Sequence, residues 1–398
     1  MRAATWQGKR DVQVIDVPDP VIQGSDEIIV EVTTTGLCGS DLHLYEVLGP
    51  FMSPGDVLGH ETMGRVVDKS GDVHDLAIGD RVVIPFQIAC GTCFMCRRGL
   101  QTQCETTQVT EEGKGAALFG YSSLYGSVPG GQAQYLRVPH ATYGAIPARQ
   151  DDLPDERYVY LSDVLPTAWQ AFRYAEVGEG DTLAVVGLGP IGDMVVRLAT
   201  QHGVRVIGID SVRERLARAQ ANGADIVDTD EADVVTIVRD LTGGRGADGV
   251  VDAVGMEAHG STKAELVQMM AGWLPGPAAR GVMRSVSVDR MAALDLALRI
   301  VRRGGTVSIS GVYAGTMNPM SLQDLFDRQI TLRMGQANVR RWVDDLLPLV
   351  EDSADPLGLE TFATHRVPLE AAADAYDAFQ RKVDGTVKVL FDPRATAP

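Results

Sequence analysis

A glycine-rich turn between a buried strand and a helix constrains the fold of this chain most strongly. The segment TLAVVGLGPIGDMVV runs from an apolar strand through Gly187, Gly189 and Gly192 into residues with helical spacing. In a G-x-G-x-x-G turn the first glycine allows the tight bend, the second lets a pyrophosphate approach the backbone, and the third lets helix and strand pack. The helix N-terminus favours the phosphate charge. The motif therefore predicts a dinucleotide site.

The segments that follow this turn alternate between strand and helix. Strand patterns occur in RVIGID, ADIVDT, ADGVVDAVG, GGTVSISGV and QITLRMG, with helical patterns in SVRERLARAQANGA and EADVVTIVRDLTGG. This alternation implies an α/β fold with a doubly wound parallel sheet over about residues 165–335. More than 40 residues separate VDAVG from RRGGTVSIS. That is too long for one crossover and predicts an insertion at about 256–290.

Asp210 ends the second strand of this series. A carboxylate there can accept hydrogen bonds from both hydroxyls of an adenosine ribose and repels a 2′-phosphate, so the sequence favours NAD over NADP. Arg213 and Arg215 leave NADP open, because a basic group nearby could bind that phosphate. Asp210 could also cap the strand end, and the two arginines could line a solvated helix face.

Residues 1 to about 160, and those after 336, have a different and mostly β character. DEIIVEV alternates its side chains, and GRVVD and GDRVVI are short β runs between frequent Gly and Pro residues. WVDDLLPLVED and LEAAADAYDAFQRK are typical of helices, and TVKVLFD of a last strand. We therefore expect both ends of the chain to form one domain that flanks the doubly wound domain.

Four of the five cysteines form one cluster with the spacing C-x2-C-x2-C-x7-C. They are Cys90, Cys93, Cys96 and Cys104. Such spacings let thiolates converge on one ion, and four sulfurs complete a tetrahedron without an open position, so the cluster predicts a structural zinc. An iron–sulfur cluster, disulfides or unligated thiols are the alternatives. Disulfides are disfavoured because MRAATWQGKRDVQV has no apolar signal segment, which leads us to expect a cytoplasmic protein.

A second group of metal-ligand residues lies in GLCGSDLH and GHETMG. Cys38 and His60 are suitable first and second ligands for a catalytic zinc, which takes about three protein ligands and keeps one position open. Taken alone, each residue is more readily interpreted as a buried free cysteine or a core histidine than as a metal ligand. Their combination with the four-cysteine loop and the dinucleotide motif favours a metal site.

That combination of motifs resembles the zinc-containing medium-chain alcohol dehydrogenases. The matching segments are GLCGSDLH, GHE, the cysteine loop, GLGPIG and the closing strands, which occur in order along almost the whole chain. The resemblance implies a GroES-like catalytic domain at 1–164 and 336–398, with a structural zinc loop at about 88–106. It also implies an NAD-binding Rossmann domain at 165–335. Two zinc ions per subunit and NAD are the expected cofactors.

The third zinc ligand is where this chain departs from the best-known members of that family. They place a second cysteine about 25 residues before the glycine motif, and this chain has Asp163 in YLSDVLPTAW instead. In this respect the chain resembles the glutathione-independent formaldehyde dehydrogenase branch, in which an aspartate is the third ligand. The long insertion also resembles that branch, where it covers the bound dinucleotide. The implied substrate is a small alcohol or an aldehyde hydrate. Asp163 could otherwise be a surface or capping carboxylate.

The same resemblance implies the remaining roles. Ser40 and His43 would carry the substrate proton outward through the cofactor ribose, and Glu61 would lie behind the zinc. Ser40 could instead be a helix N-cap and His43 a surface histidine. The further cofactor contacts that we expect are Thr167, Pro190, Ile191, Arg215 and Val312. The residues that we consider for the substrate pocket are Phe51, Phe86 and Trp169.

Charge and length exclude several classes of function. Asp and Glu number 53 against 36 Lys and Arg, a net charge of −17, which disfavours nucleic acid as a partner. No apolar stretch approaches the roughly 20 residues that span a bilayer. The family resemblance implies a homo-oligomer, with a tetramer favoured over a dimer. A secondary-alcohol, polyol or amino-alcohol dehydrogenase remains the alternative activity, and a non-catalytic zinc- and NAD-binding relative is disfavoured because the predicted site residues are all present.

Overall fold

The chain folds into two units, which a computed structural model describes over residues 1–231, 233–255, 292–313 and 321–395. One unit comprises 1–166 and 337–398, and the other 167–336. The strands of the first unit are β1 (Arg2–Gly8), β2 (Asp11–Asp16), β3 (Glu27–Leu37), β4 (Asp56–Val57), β5 (Glu61–Lys69), β6 (Arg81–Ile84), β7 (Tyr135–Pro139), β8 (Ile146–Pro147), β15 (His365–Pro368) and β16 (Val389–Asp392). Those of the second are β9 (Thr182–Val186), β10 (Arg205–Asp210), β11 (Asp225–Asp228), β12 (Ala247–Asp252), β13 (Val301–Ile309) and β14 (Thr331–Met334).

The helices follow the same division. The first unit contains α1 (Asp41–Glu46), α2 (Phe94–Arg97), α3 (Ala141–Gly144), α4 (Asp155–Val159), α11 (Val339–Val350) and α12 (Ala372–Arg381). The boundary between the units falls within α5 (Val164–Tyr174). The second unit contains α6 (Pro190–Gln201), α7 (Arg213–Ala221), α8 (Val234–Leu241), α9 (Ala292–Ile300) and α10 (Leu322–Asp327). None of the helices in the described part of the chain is both long and apolar enough to cross a bilayer.

The first unit is built around β3, whose run of Val, Ile and Thr is almost completely buried. β3 pairs antiparallel with β5, β7 and β16 in a seven-stranded sheet, and β1, β2 and β4 form a separate three-stranded sheet. β-branched residues favour such a strand because they pack on both faces of the pleat. The mostly-β character that the sequence predicts for this part of the chain is thus observed.

The pairing of β3 with β5 determines where the predicted metal ligands lie. Gly36, near the end of β3, is opposite Glu61, the first residue of β5. Antiparallel partners bring the end of one strand beside the start of the other. Cys38 directly follows β3 and His60 directly precedes β5. Residues 22 positions apart in the sequence are therefore neighbours in the fold.

The second unit has a six-stranded sheet in the order β11-β10-β9-β12-β13-β14, and every pair in it is parallel. Counted from β9, this is the order 3-2-1-4-5-6 of a doubly wound dinucleotide-binding sheet. Its core contains Ala184, Ile207, Val250 and Val307, which are fully buried. The α/β prediction is confirmed. The insertion predicted at about 256–290 lies outside the described residues.

Candidate active site and metal centres

Cys38, His60 and Asp163 converge in the first unit. Cys38 Sγ lies 3.2 Å from Asp163 Oδ2, and His60 Nε2 lies 3.4 Å from the same oxygen. With Glu61, these residues offer four buried ligand atoms that all lie within 4.8 Å of one another. Asp163 directly follows the short helical turn that comes after α4. A hydrogen bond from Phe86 N–H to Ser162 O (3.1 Å) holds that turn in place.

The residues of this cluster fit a zinc ion. A thiolate, an imidazole and a carboxylate are ordinary zinc ligands, and three of them leave one position open. Burial raises the pKa of Cys38 to about 12, and the Asp163 carboxylate adds to that rise. One oxygen of Glu61 is buried without a hydrogen-bond partner among the described residues. A bound cation would favour the thiolate of Cys38 and give it a shared partner with the Asp163 carboxylate and the free oxygen of Glu61.

Asp41 orients the histidine, and the sequence analysis missed it. His60 Nδ1 lies 3.1 Å from Asp41 Oδ1, and Cys38 N–H donates to Asp41 Oδ2 at 2.9 Å. Burial lowers the pKa of His60, but the carboxylates of Asp41 and Asp163 outweigh it and hold that pKa well above its usual range. Metal-binding histidines commonly direct their second nitrogen to a carboxylate. The signal in the sequence was the aspartate of CGSD, three residues after Cys38.

Ser40 and His43 lie on the segment that follows Cys38. Ser40 is the N-cap of α1, and its Oγ lies 3.2 Å from His60 Nε2. His43 is buried within α1, so it is not a surface histidine. The fold brings Ser40 to the metal ligands. The proton path from Ser40 to His43 stays a prediction.

Glu61 forms a buried ion pair with Lys388, a second residue that the sequence analysis missed. Lys388 Nζ contacts Glu61 Oε2 and donates to Leu37 O at 3.0 Å, and both charged side chains are at most 1% exposed. Burial raises the pKa of Glu61, and the Lys388 ammonium opposes that rise. The only signal in the sequence was a lysine inside the apolar strand pattern TVKVLFD.

Two aromatic rings flank the imidazole of His60. The ring centroid of Phe86 lies 6.3 Å from that of His60, and the centroid of Tyr121 lies 6.4 Å from it. Phe86 was among the residues considered for the substrate pocket, and Tyr121 was not. Phe51 packs into an apolar core of the first unit, and Trp169 packs against Phe172 in the second.

The four clustered cysteines converge as their spacing predicts. Cys90, Cys93, Cys96 and Cys104 offer sulfur atoms within 4.8 Å of one another. Backbone N–H groups point at two of them, from Cys96 to Cys93 Sγ and from Cys90 to Cys104 Sγ, each at 3.4 Å. Although burial opposes it, hydrogen bonds from Thr106 and Thr92 lower the pKa of Cys90 to about 5. The hydrogen bonds favour the thiolate of Cys90, and the convergence of the four sulfurs favours a bound metal ion.

The glycine turn of the second unit has the geometry that its motif requires. Gly187 follows β9 with φ +86°, and a Cβ there would lie 2.4 Å from Val254 Cγ2. A Cβ at Gly192 would lie 1.9 Å from Gly187 O, whereas one at Gly189 would meet only Arg215, at 3.7 Å. Contacts within the chain therefore require glycine at 187 and 192. Gly189, the N-cap of α6, leaves space that a phosphate group could use.

Asp210 lies at the end of β10, beside this turn. Its Oδ2 accepts from Leu188 N–H at 2.7 Å, and its Oδ1 accepts from Ser211 N–H at 2.8 Å. Arg215 Nη1 lies 3.9 Å from Asp210 Oδ2, and Arg215 Nε is buried without a hydrogen-bond partner among the described residues. Of the other predicted cofactor contacts, Thr167 lies in α5, and Pro190 and Ile191 begin α6. Val312 follows β13, and its side chain is 49% exposed.

Comparison with known proteins gives concordant matches. Residues 24–148 match the family model of the alcohol dehydrogenase GroES-like domain, and residues 190–272 match that of the zinc-binding dehydrogenases. An uncharacterized zinc-type alcohol dehydrogenase-like protein of Bacillus subtilis is 39% identical over 99% of this chain and 100% of its own length. A glutathione-independent formaldehyde dehydrogenase of Pseudomonas aeruginosa is 35% identical over 65% of this chain and 66% of its own. Among solved structures, alcohol dehydrogenase TADH from Thermus sp. ATN1 has a TM-score of 0.81 and 34% identity, covering 98% of this chain and 99% of that one.

Proposed function

Because this chain belongs to the zinc-dependent, medium-chain alcohol dehydrogenase family, we propose that it oxidises a small alcohol or aldehyde hydrate and transfers the hydride to NAD. Membership of that family makes it an oxidoreductase. The observation that carries the proposal is the convergence of Cys38, His60 and Asp163 on one buried point. Glu61, the fourth member of this cluster, is ion-paired with Lys388. The other three ligands leave room for a substrate oxygen, whereas a structural metal site is usually closed by four ligands.

The residues around that point have distinct tasks. When bound, zinc polarises a hydroxyl oxygen and lowers its pKa. Cys38, His60 and Asp163 would hold the ion, with Asp41 fixing the orientation of the imidazole. In the structure Ser40 Oγ uses His60 Nε2 as its hydrogen-bond partner (3.2 Å). With His60 Nε2 engaged as a metal ligand, the Ser40 hydroxyl would instead accept a hydrogen bond from a substrate hydroxyl.

The glycine turn and Asp210 support NAD as the hydride acceptor. The space at Gly189 suits a pyrophosphate at the start of α6. The Asp210 carboxylate suits ribose hydroxyls and disfavours a 2′-phosphate, although Arg215 beside it would ease binding of NADP. We expect NAD to bind more tightly than NADP.

The choice of substrate rests on Asp163. An aspartate in place of the second cysteine, together with the 35% identity to a glutathione-independent formaldehyde dehydrogenase, favours formaldehyde hydrate and short primary alcohols. The carboxylate donates less electron density than a thiolate, so Asp163 would leave a bound zinc ion a stronger Lewis acid. Tight retention of NAD would allow aldehyde disproportionation without release of the cofactor.

A substrate panel tests the proposal. Purified protein is assayed for NADH formation with formaldehyde, primary alcohols, secondary alcohols and polyols, while zinc and bound nucleotide are counted. We expect two zinc ions per chain and the highest kcat/KM with formaldehyde or a short primary alcohol. Preference for secondary alcohols or polyols would replace the proposed substrate class. One zinc ion per chain and no turnover would indicate a non-catalytic relative.

The role of Asp163 is tested by substitution. We expect Asp163→Ala to lose the catalytic zinc and nearly all activity, while the zinc of the four-cysteine cluster remains. The exposed Asp152, changed to Asn, is the matched control and should keep both ions. Unchanged zinc content and rate in Asp163→Ala would remove this residue from the ligand set.

A further inference from the structure

A buried carboxylate that the proposed chemistry does not use lies at the carboxyl edge of the second unit's sheet. Asp252 is the last residue of β12 and is fully buried. Its Oδ1 accepts from Val254 N–H at 3.0 Å and from Gly255 N–H at 3.3 Å, and its Oδ2 accepts the hydroxyl proton of Tyr313. Three donors thus compensate one buried carboxylate, and two of them hold the turn that follows β12.

Tyr313, the side-chain donor to Asp252, lies in the segment that follows β13. The Asp252 backbone carbonyl accepts from Ser310 and Gly311 N–H, each at 3.0 Å, so side chain and main chain of one residue both bind that segment. The hydroxyl of Tyr313 therefore links the turn after β12 to the segment after the neighbouring strand β13. Val312, the exposed residue next to it, is one of the cofactor contacts that we expect.

The turns that follow β9, β12 and β13 pack so closely against one another that they leave no space for an added Cβ atom. A Cβ at Gly187 would meet Val254 Cγ2 at 2.4 Å. A Cβ at Gly255 would meet Val312 N at 2.5 Å, and one at Gly311 would meet Gly255 N at 2.2 Å. A displacement of the turn after β12 therefore shifts both the glycine turn and the backbone around Val312. In doubly wound sheets, the ligand binds at this edge of the strands.

We propose that Asp252 and Tyr313 form a positioning pair that determines dinucleotide affinity, by fixing the glycine turn after β9 and the segment around Val312 in their binding positions. The proposal rests on the proposed function, since it requires a dinucleotide at this edge. The pair need not touch the cofactor; it acts through the turns that do. Its loss should raise the Kd for NAD more than it lowers the rate at saturating NAD.

Conservative variants of the full chain test the pair. Tyr313→Phe keeps the ring and removes only the donor, so we expect the Kd for NAD to rise about tenfold, the size of one lost hydrogen bond to a charged group. Asp252→Asn retains an acceptor for the backbone N–H groups and should show a smaller rise than Asp252→Ala. NAD binding is measured by calorimetry, together with kcat, KM, zinc content and thermal unfolding.

Asp248→Asn is the matched control, because Asp248 lies near the opposite end of β12. It binds Arg302 at 2.6 Å and Thr182 N–H at 2.8 Å, so it also ties the sheet together, but away from the glycine turn. We expect this variant to lose thermal stability without a change in the Kd for NAD.

Two outcomes overturn the inference alone: Tyr313→Phe binding NAD as tightly as the wild type, or Asp248→Asn raising the Kd for NAD as much as Tyr313→Phe does. The second result would assign the pair a purely structural role. Failure of the wild-type protein to bind NAD would instead overturn the proposed function, and the inference with it, so the two failures are distinguishable.

Discussion

Asp41 contacts two candidate metal ligands: Cys38, which follows β3, and His60, which precedes β5. It contacts the imidazole of His60 through one oxygen and the backbone N–H of Cys38 through the other. Because Asp41 is fully buried, its charge is effective at short range and cannot be replaced by water. The geometry of the site therefore depends on a residue that does not itself bind the metal.

Removing the charge of Asp41 should weaken metal binding without abolishing it. We expect Asp41→Asn to lower zinc affinity at the catalytic site by about 10- to 100-fold, the usual effect of losing a carboxylate behind a ligating histidine. Competition with a chromogenic chelator would measure the change, and the exposed Asp68→Asn would serve as control. Equal zinc affinity in Asp41→Asn and the wild type would show that the contact is dispensable.

The sequence predicted which candidate ligand residues cluster better than it predicted their neighbours. Cys38, His60 and the four clustered cysteines stand in short motifs whose spacing follows from metal geometry, and the structure brings each set together. Lys388 contacts Glu61 and Tyr121 contacts His60 from distant segments of the chain, so no local spacing in the sequence predicts them. The contact of Lys388 depends on strand pairing and that of Tyr121 on the path of a loop, and neither is encoded in a short sequence pattern.

At the scale of elements, three adjacent strands of the first unit meet at one buried ion pair. In the order β16-β3-β5, Lys388 precedes β16, Leu37 ends β3 and Glu61 begins β5. The Lys388 ammonium binds Glu61 and the Leu37 carbonyl, so it joins all three strands just behind the candidate metal ligands. Neither charge is accessible to water, so each depends on the other.

Breaking this pair should destabilise the first unit strongly. We expect Lys388→Met to cost about 3–5 kcal/mol of unfolding free energy, because it leaves the Glu61 carboxylate buried without a counter-charge. The double variant Glu61→Gln/Lys388→Met removes both charges and should recover much of the loss. Urea unfolding of the wild type, of Lys388→Met and Glu61→Gln alone, and of the double variant gives the four values from which additivity is judged. Additive losses in the double variant would contradict a direct coupling between the two side chains.

We expect the four-cysteine loop to be held mainly by a metal ion on its sulfurs. Apart from the sulfur cluster, its apolar support among the described residues is small: Ala89 and Ala116 are the buried partners of Cys96 and Cys104. We expect Cys96→Ser to lose one zinc ion, to retain the catalytic ion and to make residues 88–106 sensitive to proteolysis. Cys38→Ser is the converse control, which should lose the other ion and keep the loop resistant. An intact loop without metal would show that packing alone suffices.

The second unit illustrates what alternation of strands and helices can and cannot predict. Its parallel sheet and doubly wound order follow from the spacing of apolar runs around the glycine turn, and both are confirmed. In the first unit, the sequence predicted mostly β structure but neither the separate three-stranded sheet nor the register shifts of β3 against β5. Those features are decided by packing between strands far apart in the chain.

For the whole molecule, the family match confirms the expectation drawn from the motifs, while assembly stays a proposal. We expect a homo-oligomer, with a tetramer favoured over a dimer, and no nucleic-acid partner for a chain of net charge −17. β14 is the last strand in the described sheet order, so one of its edges has no strand partner there. Exposed apolar side chains lie near that edge, with Leu322 at 70%, Phe326 at 87% and Met334 at 62% exposure.

A strand edge that has no partner among the described strands, beside exposed apolar side chains, is a suitable surface for a second copy of the chain. We expect Phe326→Asp to reduce the mass of the assembly in light scattering, because it places a charge where the copies would bury an aromatic ring. Val21→Asp is the control, since Val21 is also exposed (63%) but lies in the first unit, far along the chain from β14. Zinc content and far-UV circular dichroism should match the wild type in both variants. A wild-type mass of one chain, or an unchanged assembly in Phe326→Asp, would exclude this edge as the contact.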